Sequence, residues 1–278
     1  MNIDNIGILP DPGPEPDPDP IPDNHIPDHP VNNPNPILYP DPNPVINLNY
    51  NSSVFNLNLS SQNVRSFNIS TKNDITIQKI LAITSLKSDI VFLSDLRLNS
   101  SKQISGVNDI EKQFFFKGYK FFHNSTLASR GVGILISKNI FEKNLSVLEQ
   151  VATPDCNMLI LKCMYNNTAL SLISVYGPNH DNDSDFFNIL SVNLRDITSP
   201  IIIAGDWNAT MDMSEVENNL DVVNMRNIPS RRRSEKILEI CANFSLLDPF
   251  RVLNPDKKEY TYIPSSIHEQ NRSRLDFF

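Results

Sequence analysis

Residues 200–208 read PIIIAGDWN. Three isoleucines and an alanine make a short apolar run of the kind that forms a buried strand. The run ends on Gly205, Asp206, Trp207 and Asn208. An acid and an amide leaving a buried strand are costly unless they converge on a partner or a ligand. The same pattern recurs along the chain. LSLISVYGPN (residues 170–179) closes on Tyr176 and Asn179, IVFLSD (90–95) on Asp95, and VFNLNLSSQN (54–63) on Asn63, while SRLDFF (273–278) carries Asp276. If these strand ends meet at one sheet rim, they form an oxygen-rich site. Such a site suits hard Mg²⁺, which takes one or two carboxylates and keeps several waters. Each residue taken singly also reads as a turn or helix cap; their order along the chain is the signal.

Around these segments, GVGILIS (131–137) and MLILKCM (158–164) read as further strands, as does VFNLNL (54–59), which alternates in strand fashion. Asp74 is placed to N-cap DITIQKILAITSL, with Ile77, Ile80, Leu81 and Thr84 on one helical face. Helices also fit residues 184–194, where Phe186, Phe187, Leu190 and Leu194 recur, and residues 231–246 after Ser230. EYTYI (259–263) and SRLDFF read as late strands. Strands outnumber helices, and several follow one another directly. That predicts two packed, mostly antiparallel sheets with helices outside rather than a doubly wound parallel sheet. GxxxxGK[ST], GxGxxG and HExxH are absent, and the chain has only eight glycines, so a glycine-rich phosphate loop is not its chemistry.

The 278 residues carry a net charge of −8, but unevenly. Residues 1–44 hold eight acids, no Lys or Arg, and 14 of the 21 prolines, whereas residues 45–278 are formally neutral. Alternating Pro and Asp fixes φ, removes donors and repels itself, so residues 1–50 read as an extended acidic arm and residues 51–278 as the folded domain. The overall acidity therefore describes the arm and does not exclude a nucleic-acid partner. No run approaches a membrane span, no signal peptide is legible, and three cysteines form neither metal-ligand spacing nor an even disulfide framework. A glycan on the sequon Asn208-Ala209-Thr210 would block the strand end, which also speaks against secretion.

The segments NVRS, FLSDLRL, GVGILIS, VYGPN, GDWNATMD and YTYI…SRLDFF, in that order, resemble the endonuclease/exonuclease/phosphatase superfamily. They look most like the apurinic-type endonuclease domain of non-LTR (LINE-like) retrotransposons. The resemblance implies an α/β four-layer sandwich: two packed mixed, mostly antiparallel sheets flanked by helices. It implies Mg²⁺ or Mn²⁺, double-stranded DNA as partner, and nicking by phosphodiester hydrolysis to leave a 3′-hydroxyl primer. Element RNA and a reverse transcriptase domain would be further partners if the protein continues, with action in the nucleus.

Carried over residue by residue, the resemblance makes Asn63 and Asp95 metal-site residues and sets Tyr176 against the scissile phosphate. Asp206 would orient or deprotonate water, Asn208 would donate to the phosphoryl oxygens, and Asp276 would support a catalytic His. Asn179 and Thr261 would face the nucleic acid. Apart from the resemblance, Arg231, Arg232 and Arg233, following Ser230, read on their charge as a solvated face or as contacts to DNA phosphates. Ser94-Asp95-Leu96 stands where the family has Q-E-T/S, so this acid is one methylene shorter. The family's S-D-H segment does not occur, and none of the five His stands in such a context. The expectation is thus a domain truncated before that segment. An inactive element product, or a phosphodiesterase of the same superfamily acting on another substrate, remains the alternative.

Overall fold

Two sheets stack face to face because their strands are apolar on both sides. In this computed structural model the described residues are 57–67, 74–100, 102–180, 185–212, 219–223, 230–261 and 272–277. They run β1 (Leu59–Asn63), α1 (Asp74–Ser85), β2 (Ile90–Ser94), α2 (Ile104–Phe116), β3 (Tyr119–Asn124), β4 (Val132–Ser137), α3 (Lys138–Lys143), β5 (Leu145–Ala152), β6 (Met158–Tyr165) and β7 (Thr168–Tyr176). After these come α4 (Asp185–Arg195), β8 (Ile201–Asp206), β9 (Val222–Val223), α5 (Arg231–Phe244), α6 (Pro249–Leu253), β10 (Arg272–Ser273) and β11 (Asp276–Phe277). They fall within a unit spanning Val54–Phe278; the Pro/Asp-rich arm lies outside the described residues.

One sheet has the order β1-β2-β4-β3 and the other β11-β8-β7-β6-β5. Only β1 with β2 and β7 with β8 are parallel in these two sheets; the other pairings are antiparallel. The period of two along each strand separates three cores. Phe92, Ile134, Leu159, Leu161 and Leu172 meet between the sheets. Val91, Leu93 and Leu135 point outward onto Ile80, Ile83, Val107, Ile110 and Phe114 of α1 and α2. Ile160, Ile173, Val175 and Ile203 face Phe186, Phe187, Leu190, Leu194, Ile237 and Ile240 of α4 and α5. The result is a four-layer helix–sheet–sheet–helix sandwich, as the resemblance implied.

Several local expectations shift. The first strand is Leu59–Asn63 rather than residues 54–59, because its parallel partner begins at Ile90, opposite Leu59; residues 54–56 lie outside the described residues. Helix α1 buries Thr76, Ile80 and Ile83, and leaves Ile77 and Leu81 at 48 % and 44 % exposed. Lys79 sets that rotation: its Nζ donates to the carbonyls of Val64, Arg65 and Ser66 at 2.6–3.0 Å. Glu259 and Tyr260 are irregular and Thr261 lies in a bend, while residues 262–263 are outside the described set. SRLDFF is two short strands broken at Arg274 and Leu275 rather than one.

Candidate active site

The parallel pairs β1–β2 and β7–β8 bring four strand C-termini to one rim. Asn63 stands opposite Ser94 and Tyr176 opposite Asp206. The sheets are stitched there: Ser174 Oγ donates to the Leu93 carbonyl, and Asn63 Nδ2 donates across to Asp206 Oδ2 at 2.5 Å. The backbone continues the join. Gly177 N donates to the Asp206 carbonyl at 2.7 Å, and a Cβ at Gly177 would lie 2.1 Å from the Trp207 carbonyl oxygen, so only glycine fits. Trp207 is buried edge-on against Phe186 and serves packing.

Asn63, Asp95, Tyr176, Asp206 and Asn208 line a single cleft of about 290 Å³, together with Arg65, Arg97 and Leu275. Asp206 Oδ1 accepts from Asn208 N at 2.9 Å. Asn208 is left-handed at φ 49, and its Nδ2 donates to the Gly177 carbonyl. Burial, and then the neighbouring Asp276 carboxylate, push Asp206 up to about 7, against the hydrogen bonds from Asn208 and Asn63 that favour its charged form. Asp276 lies directly opposite Asp206 in the β11–β8 ladder and is raised too, chiefly by burial. Its Oδ1 is buried without a hydrogen-bond partner among the described residues.

The remaining expected residues sit further out. Asn179 is exposed, its Nδ2 3.4 Å from the Tyr176 hydroxyl. Thr261 Oγ1 accepts from the Leu275 and Asp276 amides and so steadies the segment that carries Asp276. Arg231 pairs with Glu235 on its own helix, and Arg232 is exposed; neither lines the cleft. Ser230 precedes α5 without a side-chain cap bond. Arg233 turns inward instead: its Nη1 donates to the carbonyls of Pro178 and Asn208 at 2.7 and 2.6 Å, tying the two site loops together.

Sequence reasoning did not single out Arg65 or Arg97, and it read Arg233 only as part of an arginine run. Arg97 follows Asp95 by two residues and forks its carboxylate; alternation of polar residues with Leu96 and Leu98 was the available signal. Also unforeseen is the buried array of Arg274 with Asp248 (2.7 Å) and Asp221 (3.6 Å), and of Arg251 with Asp221, which anchors β10 and β11.

Among the described residues, no group of three or more His, Cys, Asp and Glu side chains is placed to hold a metal ion, so any ion here would rest on one or two carboxylates and water. The donors at the rim are hard oxygens, namely the carboxylates of Asp95, Asp206 and Asp276 and the amide of Asn63. The orphaned Asp276 oxygen and the raised Asp206 mark a place where ionisation is costly and a cation would favour the charged carboxylates. This set fits Mg²⁺ in an open, partly hydrated site.

The architecture and the strand-end cleft define the class: the chain has the endonuclease/exonuclease/phosphatase fold. It matches a 3′ phosphatase, NExo, from Neisseria solved with product DNA hairpin (TM-score 0.59, 14 % identity, 80 % of this chain and 85 % of that one). It also matches an AP endonuclease from Archaeoglobus fulgidus (TM-score 0.57, 16 % identity, 80 % and 85 %). In sequence it is 31 % identical over 166 residues, 58 % of the chain, to the transposon TX1 149 kDa protein of Xenopus laevis, and spans 12 % of that protein's length. No family model matches the chain. No helix among the described residues is long and apolar enough to cross a membrane.

Proposed function

We propose that this chain is a divalent-metal-dependent DNA endonuclease domain of a retrotransposon protein. It nicks target DNA by phosphodiester hydrolysis and leaves a 3′-hydroxyl primer for reverse transcription. The observation that carries this reading is Asp206, buried at the rim, oriented by Asn63 and Asn208, and held near neutrality beside Asp276. The transposon-protein relative supports the retroelement assignment, and the DNA hairpin bound to the Neisseria structure supports DNA as the ligand class.

In this mechanism Asp206 is the general base, effective because its pKa lies near working pH. The water oxygen bonds to phosphorus, the phosphorus bond to the 3′ oxygen breaks, Asp206 takes the water's proton, and the departing 3′ oxygen takes a proton from solvent to end as a hydroxyl. Asn208 donates to the phosphoryl oxygens as charge builds; its Nδ2 has a second hydrogen beyond the one given to Gly177. The Tyr176 hydroxyl positions the phosphate. Asp95 and Asn63 would hold Mg²⁺ or Mn²⁺, which polarises the phosphoryl group and stabilises the leaving oxygen when bound. Element RNA and a reverse transcriptase domain are the partners this reading implies, in the nucleus.

The test is nicking of supercoiled plasmid with Mg²⁺ or EDTA. Wild type converts plasmid to open circle only with Mg²⁺, and Asp206→Ala does not. Nicking that persists unchanged in Asp206→Ala refutes the reading.

A further inference from the structure

Arg97 stands in the cleft without a part in the scheme above. Its Nε donates to Asp95 Oδ1 at 2.6 Å and its Nη2 to Asp95 Oδ2 at 2.9 Å. A guanidinium makes this two-pronged contact equally well with a carboxylate or a phosphate. The partners are unequally placed: the Asp95 side chain is 5 % exposed and that of Arg97 45 %. The acid therefore lies at the floor of the cleft and the cation at its mouth, where an incoming phosphodiester arrives first. The backbone holds the pair in place. Asp95 and Arg97 are both left-handed (φ 56 and 51), a conformation disfavoured for residues with side chains. Leu96 and Leu98 are fully buried, and the amides of Leu96 and Arg97 donate to the Gly131 and Arg130 carbonyls.

We infer that Arg97 is a phosphate-exchanging residue, whose guanidinium covers Asp95 in the free chain, transfers to a phosphodiester entering the cleft, and thereby frees Asp95 for the divalent cation. This rests on Asp95 being a cation ligand, as proposed above. No covalent bond is made or broken; one ion pair is traded for two others. Because both ligands draw on one ion pair, cation and phosphodiester must tighten each other's binding by the same factor. Removing a unit positive charge about 6 Å from a dication strengthens cation binding by roughly tenfold even at the dielectric of water, and by more in the partly desolvated cleft.

The experiment measures Mn²⁺ affinity by electron paramagnetic resonance of the free ion, with and without dimethyl phosphate as an uncleaved phosphodiester. Arg97→Ala is expected to bind Mn²⁺ at least about tenfold more tightly than wild type. Dimethyl phosphate tightens Mn²⁺ binding in wild type but not in Arg97→Ala. Arg97→Lys, which keeps the charge and loses the fork, falls between them. The gain disappears when Asp95→Asn is added. An Arg97→Ala affinity equal to or weaker than wild type, an equal response to dimethyl phosphate, or a gain that survives Asp95→Asn each overturns the inference. Arg97→Gln provides a second variant if the fluorescence of buried Trp207 shows that Arg97→Ala is misfolded. An absent Mn²⁺ shift alongside intact Asp206-dependent nicking refutes the exchange alone. A Mn²⁺ shift in a chain that does not nick refutes the endonuclease reading alone.

Discussion

Replacing Asp206 with Asn should abolish nicking and, at alkaline pH, make the folded chain more stable. Asp206 is 5 % exposed and is pushed up from 3.8 to about 7. Between those pH values the folded chain holds a proton that the unfolded chain has lost, so stability falls as pH rises from about 4 to about 7 and stays low above it. At about 1.4 kcal/mol per pH unit, the cost at pH 8 is on the order of 4 kcal/mol. Asparagine escapes that cost. It still accepts from Asn208 N, but it sets an amide against the Asn63 Nδ2 donor, a loss of about 1–2 kcal/mol. The variant should thus be slightly less stable than wild type near pH 4 and about 2–3 kcal/mol more stable at pH 8. Urea unfolding in EDTA, followed by the fluorescence of Trp207, the single tryptophan, measures both. A stability difference that does not change between pH 4 and pH 8 would refute the buried-carboxylate argument, whatever happens to nicking.

Further outcomes follow from the same geometry. Asn208→Ala should lower kcat for nicking by about 10²–10³-fold with Mn²⁺ affinity retained. Arg233→Ala releases the carbonyls of Pro178 and Asn208 and should lower kcat by about 10–100-fold, with partial rescue by added guanidinium; lack of rescue would make its role purely structural. Arg274→Met removes the cation beside buried Asp248 and leaves Asp221 with Arg251, and should cost about 3–5 kcal/mol in urea unfolding. Gly205→Ala places a Cβ 2.0 Å from the Val175 carbonyl oxygen at φ 150, so circular dichroism should show a chain destabilised by more than about 3 kcal/mol.

What the sequence made legible was its strongest physical signal. Apolar runs such as IVFL, MLIL and PIII can only be strands covered on both faces, and their polar ends can only lie at a rim. The five residues that end four of those strands do share one cleft. The edge strands β3 and β5 went unread because one face is wet. LSVLEQVA is half exposed, and its register with β6 shifts between Val147 and Glu149, so no apolar run announces it. Helix α1 was found, but its buried face was placed one step off, because a lysine reaching three carbonyls decided the rotation. The arginines were missed for a different reason. A guanidinium acts through what it reaches, and the partners of Arg233 and Arg274 lie far away in sequence. Local charge patterning grouped Arg233 with Arg231 and Arg232, which remain at the surface.

The clip formed by residues 272–277 bears on when chemistry arises during folding. Among the described residues, Asp276 is held against Asp206 by two very short ladders, the Leu275 carbonyl on Trp207 N, the Thr261 hydroxyl and the buried Arg274. The sandwich core from β1 to β8 needs none of these contacts. A nascent chain can therefore stack its sheets and line up Asn63 with Asp206 while that carboxylate is still open to water and ionises like any surface acid. Docking of the clip supplies both the cover and the rival charge that turn it into a proton acceptor at neutral pH. Since such long-range pairings form late, a chain cut before Leu275 would keep the sandwich and lack this neutral-pH proton acceptor.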